Sequence, residues 1–340
     1  MRNSLKRPAS SLACVAAGAA TLMWSASTLA GGSNYGITPG ANGGYAGRVI
    51  EWAVPTPRFA RDPAIAPDGS VFIAVMTGNR VARFDPKAQA FREWVLPSGH
   101  RPHGLLVDRS GIVWTTGNGN GTIGRLDPAT GEIGEIPVPT GSSGPHTIVI
   151  TDDQSTLWFT LQSGNRIGRL DIATRKVTEY PTTGGPYGLA IDQSGNVWFC
   201  RPGDDRIGKL DPRTGQMTEV ATGPRSRPRR MAIGADGALW VTLYGNGKLV
   251  RVDPRAGKIV KEYVLPGNDA GPYAVSVESS GIVWTNEINN DTVVRLDPRS
   301  GKMDVVKLPS TNVGIRKLVV DAQGRLWYVG SHNGRLGMIE

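Results

Sequence analysis

Tyr187-Gly188-Leu189-Ala190-Ile191 runs into Asp192-Gln193-Ser194-Gly195 and then Val197-Trp198-Phe199, and this stretch decides the fold. The first group is a short apolar strand, the second a turn and the third another apolar strand. A polar turn around Asp204-Asp205 follows. Arg206-Ile207-Gly208-Lys209-Leu210 then alternates polar and apolar, as a half-buried strand does. Asp211-Pro212-Arg213-Thr214-Gly215 is a hairpin loop in which Pro presets φ and Gly supplies a positive φ. Met217-Thr218-Glu219-Val220 is the fourth strand. Four short antiparallel strands in about forty residues make one propeller blade.

The same grammar recurs outward from this unit. Trp114, Trp158, Trp198, Trp240, Trp284 and Trp327 are spaced by 44, 40, 42, 44 and 43 residues, and Phe72 stands 42 before the first. Seven units begin near Arg61, His103, His146, Tyr187, Arg229, Tyr273 and Arg316. The last stops after its third strand, at Arg335 to Glu340. Ile50-Glu51-Trp52-Ala53-Val54-Pro55 matches Arg92-Glu93-Trp94-Val95-Leu96-Pro97, the outer strand of the first unit, so the N-terminal segment is expected to complete the last blade. The expectation is an all-β, seven-bladed propeller over residues 48–340. Tandem β-sandwiches would space their strands irregularly and carry no fixed Trp. The periodic tryptophans read as packing between blades.

The ends read differently. Residues 1–30 have a basic start (Arg2, Lys6, Arg7), a short apolar run and Thr28-Leu29-Ala30 as a cleavage site, the layout of a secretory signal peptide; a retained anchor is the alternative. Residues 31–47 are rich in Gly, Ser and Asn and read as a flexible spacer. Losing residues 1–30 removes three basic and no acidic side chains, taking the formal charge from +9 to +6. That favours anionic partners without naming one. Cys200 is then the only cysteine, which excludes an intrachain disulfide, and four scattered histidines without Cys pairs exclude a zinc-finger-like site.

A site is expected where first strands begin and second strands end, since both gather at one mouth of the central channel. The leading residues around the ring are Arg61, His103, His146, Tyr187, Arg229, Tyr273 and Arg316, and all seven are polar or aromatic although an apolar strand follows. The trailing residues are read as Val75, Gly117, Leu161, Arg201, Leu243, Glu287 and Gly330, placing Tyr187 opposite Arg201. The plainer reading is a water-filled funnel lined by polar groups. The loop Arg225-Ser226-Arg227-Pro228-Arg229-Arg230 reaches the same face and points to anion binding.

The motifs Pro102-His103-Gly104 and Pro186-Tyr187-Gly188, the Trp strands, the third strand Asn165 to Leu170 and the Glu-Tyr/Trp-x-x-Pro endings resemble the virginiamycin B lyase (streptogramin lyase) family from about residue 48 to 340. That resemblance implies an Mg²⁺-dependent carbon–oxygen lyase opening a cyclic depsipeptide at its ester by β-elimination. It also implies histidines at two adjacent leading positions, a Tyr at the next and a Glu fourteen residues after one His. His103, His146 and Tyr187 follow that order. The Glu does not: Gly117 and Leu161 stand at the corresponding places, and Glu287 belongs to the blade of Tyr273.

The leading expectation is an exported (periplasmic or extracellular), monomeric, lyase-like propeller that takes an anionic small molecule or peptide. His103 or His146 would be the general base and Tyr187 a proton donor. Arg61, Arg201, Arg229 and Arg316 would clamp the anion, with Tyr273 beside them and Glu287 as orienter or weak metal ligand. A non-catalytic binding propeller is the alternative. A calcium-dependent lactonase would need a carboxylate-rich channel, which this ring lacks, and export argues against nucleic acid or, after cleavage, a membrane as partner.

Overall fold

The computed structural model describes residues 41–42 and 47–340; the segment read as a signal peptide, and most of that read as a spacer, lie outside them. Among the described residues all regular structure is β, in seven antiparallel sheets. The fourth sheet has the strands Leu189–Ile191, Val197–Arg201, Arg206–Leu210 and Met217–Ala221 in that order from the channel outward. Each innermost strand touches the innermost strands of the blades on either side, and Ile315–Val320 of the last blade meets Ala60–Ile65 of the first, so the ring is closed.

Local chemistry sets the elements as the sequence implies. In the turn of blade four the Asp192 carboxylate accepts the amides of Ser194 and Asn196, both at 2.9 Å. Its other oxygen takes the Trp198 indole N–H at 2.8 Å, which ties the turn to the wedge residue. Trp114, Trp284 and Trp327 make the same bond to Asp108, Glu278 and Asp321. All six repeating tryptophans are buried, and Trp158 packs against Leu189 of the next blade as Trp240 packs against Val275. The aromatic repeat is interblade packing.

The N-terminal segment closes the last blade. Val49–Ala53 pairs antiparallel with Arg335–Ile339, from Val49 opposite Ile339 to Ala53 opposite Arg335. Glu51 of this strand is fully buried and accepts the Tyr328 hydroxyl at 2.7 Å and the Ser310 hydroxyl, so the seam also holds a polar link between blades. Six sheets have four strands. The closing sheet has a fifth, Ala41–Asn42, paired with Glu51 and Ile50 on its outer edge, inside the stretch read from sequence as spacer.

A second difference bears on the site. In six blades the innermost strand carries a register shift at its start, between Ala60 and Pro63 in blade one and between Pro145 and Ile148 in blade three, for example. A bulge puts two residues of one strand against one of its partner. The residue opposite Val75 is therefore Ala60, and that opposite Leu161 is Pro145, each one before the leading residue.

Candidate functional site

The bulges turn consecutive residues of the bulged first strands toward the channel. The leading residues Arg61, His103, His146, Tyr187, Arg229, Tyr273 and Arg316 all line one mouth cavity of about 750 Å³. The residues after them, among them Asp62, Thr147, Arg230 and Lys317, line a deeper cavity of about 300 Å³. The Pro-His-Gly and Pro-Tyr-Gly motifs acquire a reason here. A Cβ on Gly104 would lie 2.3 Å from the His146 carbonyl oxygen, and one on Gly188 would lie 2.4 Å from that of Arg229. Only glycine lets these two inner strands approach the next blade this closely.

Close approach stacks the side chains. The His103 and His146 rings have centroids 3.6 Å apart, and those of His146 and Tyr187 are 3.8 Å apart. The Tyr187 and Tyr273 hydroxyls hydrogen-bond to each other. Arg229 lies over Tyr187 and Tyr244, each at 5.0 Å, and over Tyr273 at 5.7 Å. Arg61 and Arg316 both lie over Phe59, at 5.4 and 5.3 Å, and Arg316 lies 5.1 Å from the Tyr273 ring. Phe59 is held at φ 52°, a conformation a bulky residue rarely adopts.

The charge in the mouth is lopsided. Arg230 has its charge paired: one terminal nitrogen reaches both Asp62 oxygens at 3.1 Å, and the other reaches the Thr147 hydroxyl at 3.0 Å. Arg61, Arg229 and Arg316 have no carboxylate within ion-pair distance among the described residues. Arg316 instead meets the His332 ring nitrogen at 3.2 Å. Two guanidinium nitrogens of Arg61 and Nδ1 of His103 are buried without a hydrogen-bond partner in the protein. Asp291, the carboxylate that lines the cavity, is occupied by the backbone amides of Asn312 and Val313 at 2.7 and 2.8 Å.

Burial, reinforced by Arg61, His146 and Arg230, holds His103 well below the ordinary imidazole range. Burial and the same arginines, with Arg229 and Arg316, do so for His146. Both rings are neutral at neutral pH. Burial and the neighbouring Tyr273 raise Tyr187. Tyr273 goes the other way: burial opposes ionisation, but Arg61, Arg316 and Arg230 bring it down to about 8.

The trailing positions need correction. Val75, Leu161 and Leu243 are fully buried in the blade packing, and the cavity is lined by their successors Met76, Gln162 and Tyr244. The extra residue of the bulge belongs to the first strand alone, so counting back equally from the turn misplaces the partner by one. Arg201 leaves the clamp: it pairs with Asp204 and with Glu219, the latter at 2.6 Å, away from the mouth. Glu287 is 2% exposed and accepts the Gly267 amide at 2.7 Å and the Thr292 hydroxyl at 2.6 Å, so it neither faces Tyr273's ligand side nor lines the cavity. Residues missed in the sequence are Phe59, Tyr244, the Asp62–Arg230 pair and His332. His332, the histidine of the last blade, was the most findable.

Mg²⁺ takes oxygen ligands in near-octahedral geometry. Among the described residues no three His, Cys, Asp or Glu side chains converge, and the mouth offers one engaged carboxylate against three unpaired guanidinium groups. This donor set does not fit Mg²⁺.

Comparison with known proteins bears on the same architecture. The family described as "Virginiamycin B lyase family" matches residues 4–183 and 149–340. A virginiamycin B lyase of Nocardia farcinica (strain IFM 10152) is 36% identical over 91 residues, 26% of this chain and 32% of that protein, so the match spans about a third of the relative's length. A streptogramin B lyase structure superposes with a TM-score of 0.79 at 24% identity, covering 86% of this chain and 97% of that one. A catalytically inactive histidine-to-alanine form of virginiamycin B lyase from Staphylococcus aureus, solved with quinupristin, superposes with a TM-score of 0.78 at 24% identity, covering 86% and 99%. These two likenesses show a shared fold.

Proposed function

The chain belongs to the virginiamycin B lyase family, and from that premise we propose that its basic mouth binds an anionic small molecule or peptide and opens an ester in it by β-elimination, outside the cytoplasm. The observation that carries this reading is the set of three arginines, Arg61, Arg229 and Arg316, converging on one cavity without carboxylate partners. Arg61 is buried and the other two are half-buried, and buried cations are normally paired. Here the missing anion would be supplied by the ligand.

The family chemistry suits such a cavity. In ester β-elimination a proton leaves the carbon α to a carbonyl, a carbon–carbon double bond forms, and the alkyl C–O bond breaks with its electron pair on the departing carboxylate. Negative charge thus develops on a carboxylate, which guanidinium groups match in shape and charge. Arg61 and Arg316, side by side on Phe59, would receive it. Neutral His103 and His146 can accept hydrogen bonds from the substrate, and the Asp62–Arg230 pair floors the mouth with no net charge. No step requires a metal ion from this donor set.

Calorimetry with benzoate and benzamide, close in shape and different in charge, tests the binding half. Benzoate should bind about tenfold or more tightly, the worth of one charge-assisted hydrogen bond, and lose affinity as salt is added. Equal affinity for the two would overturn the anion site. Quinupristin tests the reaction half: elimination gives a ring-opened isomer of unchanged mass, whereas hydrolysis adds one water.

A further inference from the structure

An elimination site needs a proton acceptor, and the charge of this mouth restricts what that acceptor can be. Protonating the buried His103 or His146 would place another cation beside buried Arg61 and half-buried Arg229 and Arg316, none of which has a carboxylate partner among the described residues. Removing a proton from a phenol does the opposite and supplies the anion those arginines lack. Three phenols line the mouth, of which Tyr244 is half-buried against the Tyr273 ring and the other two are buried. Tyr187 and Tyr273, 5% and 3% exposed, meet hydroxyl to hydroxyl across the ring, with Arg229 over both rings. Their surroundings are unequal. Arg316 lies against Tyr273, whereas the neutral His146 ring lies against Tyr187. Arg230, paired with Asp62, lies over the Tyr187 ring and acts on both phenols, so it does not distinguish them. Tyr273 is therefore the phenol on the cationic side, and Tyr187 is placed to donate to its oxygen.

We propose that Tyr273, ionised to a phenolate and hydrogen-bonded by the Tyr187 hydroxyl, is the proton acceptor of this mouth in place of the histidines. The proposal rests on the anion-binding reading of the same cavity. In the reaction the substrate's α-proton passes to the Tyr273 oxygen and the C–H electron pair becomes the new double bond. The C–O pair leaves on the carboxylate, and the neutral phenol afterwards returns its proton to solvent. Electrostatics agree with the geometry: Tyr273 is brought down to about 8 against the effect of its burial, while Tyr187 is raised. The ionised fraction of Tyr273 therefore grows as pH rises toward 8, and activity that depends on it rises over the same interval.

Phenolate absorbance in the near ultraviolet, followed against pH, tests this on the intact protein without a substrate. Wild type should show one tyrosine ionising near pH 8, ahead of the rest. That early step should vanish in Tyr273→Phe and move to higher pH in Tyr187→Phe and in Arg316→Gln. Saturating benzoate should also move it up, since two anions then share the same arginines. Tyrosines that all titrate together in wild type, or an early step that survives in Tyr273→Phe, would overturn the proposal. Should Tyr273→Phe fail to fold, the direction of the shift in the other two variants decides. An early step that is present while benzoate fails to bind would leave Tyr273 standing and remove the anion-binding reading instead.

Discussion

Leu161 and Gln162 show at single-residue scale what the sequence discloses and what it hides. The leading residues were legible because each stands at a fixed distance before an apolar strand, where a polar or aromatic side chain is conspicuous. All seven reach one cavity. Their partners were not legible, because the bulge adds a residue to the first strand without altering the length of the repeat. Leu161 is consequently fully buried beside Phe159 and Trp114, and Gln162 faces the mouth. Leu161→Glu should therefore destabilise the fold by roughly 3–5 kcal/mol, since it buries a carboxylate without a partner. Gln162→Glu should leave the melting temperature nearly unchanged. Thermal unfolding of the two variants checks this, and equal tolerance of both would return the sequence-based register to favour. Glu287 was misplaced for the same reason, and both it and Arg201 are held by local partners that no residue count reveals.

Among the elements, the strand Val49–Ala53 carries the most consequence for its length. Its assignment was readable from the match between residues 50–55 and 92–97, and its pairing with Arg335–Ile339 removes the open edge of the last blade. What it adds beyond backbone pairing could not be read: Trp52 stacks on Trp327 at 6.0 Å, and Glu51 joins Ser310 and Tyr328 in a buried cluster. Deleting residues 48–55 should lower the melting temperature sharply, because the cut strips both the ladder and this cluster. Ending the N-terminal truncation before residue 47 removes, among the described residues, the short Ala41–Asn42 pairing and should cost far less. Two truncations that melt alike would show that the ring does not depend on its closing strand. Burial raises the Glu51 carboxyl. Its contribution is therefore full below the ordinary carboxylate value and declines as pH rises through the raised one.

Across the whole molecule, the site and the ring are inseparable. Each blade contributes one leading residue, so the mouth exists only when all seven blades close. Closure depends on the closing strand's ladder and on packing rather than on a disulfide, for the single described cysteine, Cys200, is buried and unbridged. The fold was legible because forty-residue periodicity is a global signal that local irregularity does not erase. The site's charge balance was only half legible. Arginines are visible in sequence, but whether a carboxylate answers them depends on where each acid side chain points, and here Asp62 answers Arg230 while no carboxylate answers Arg61. Anion binding by the mouth depends on that unanswered charge. Crystals soaked in selenate, a tetrahedral anion located by the anomalous signal of selenium, would test it most directly. A selenium peak within hydrogen-bonding reach of Arg61 and of Arg229 or Arg316, lost in Arg61→Gln, is the result expected. A mouth without a peak, or a peak there that Arg61→Gln leaves unchanged, would contradict it.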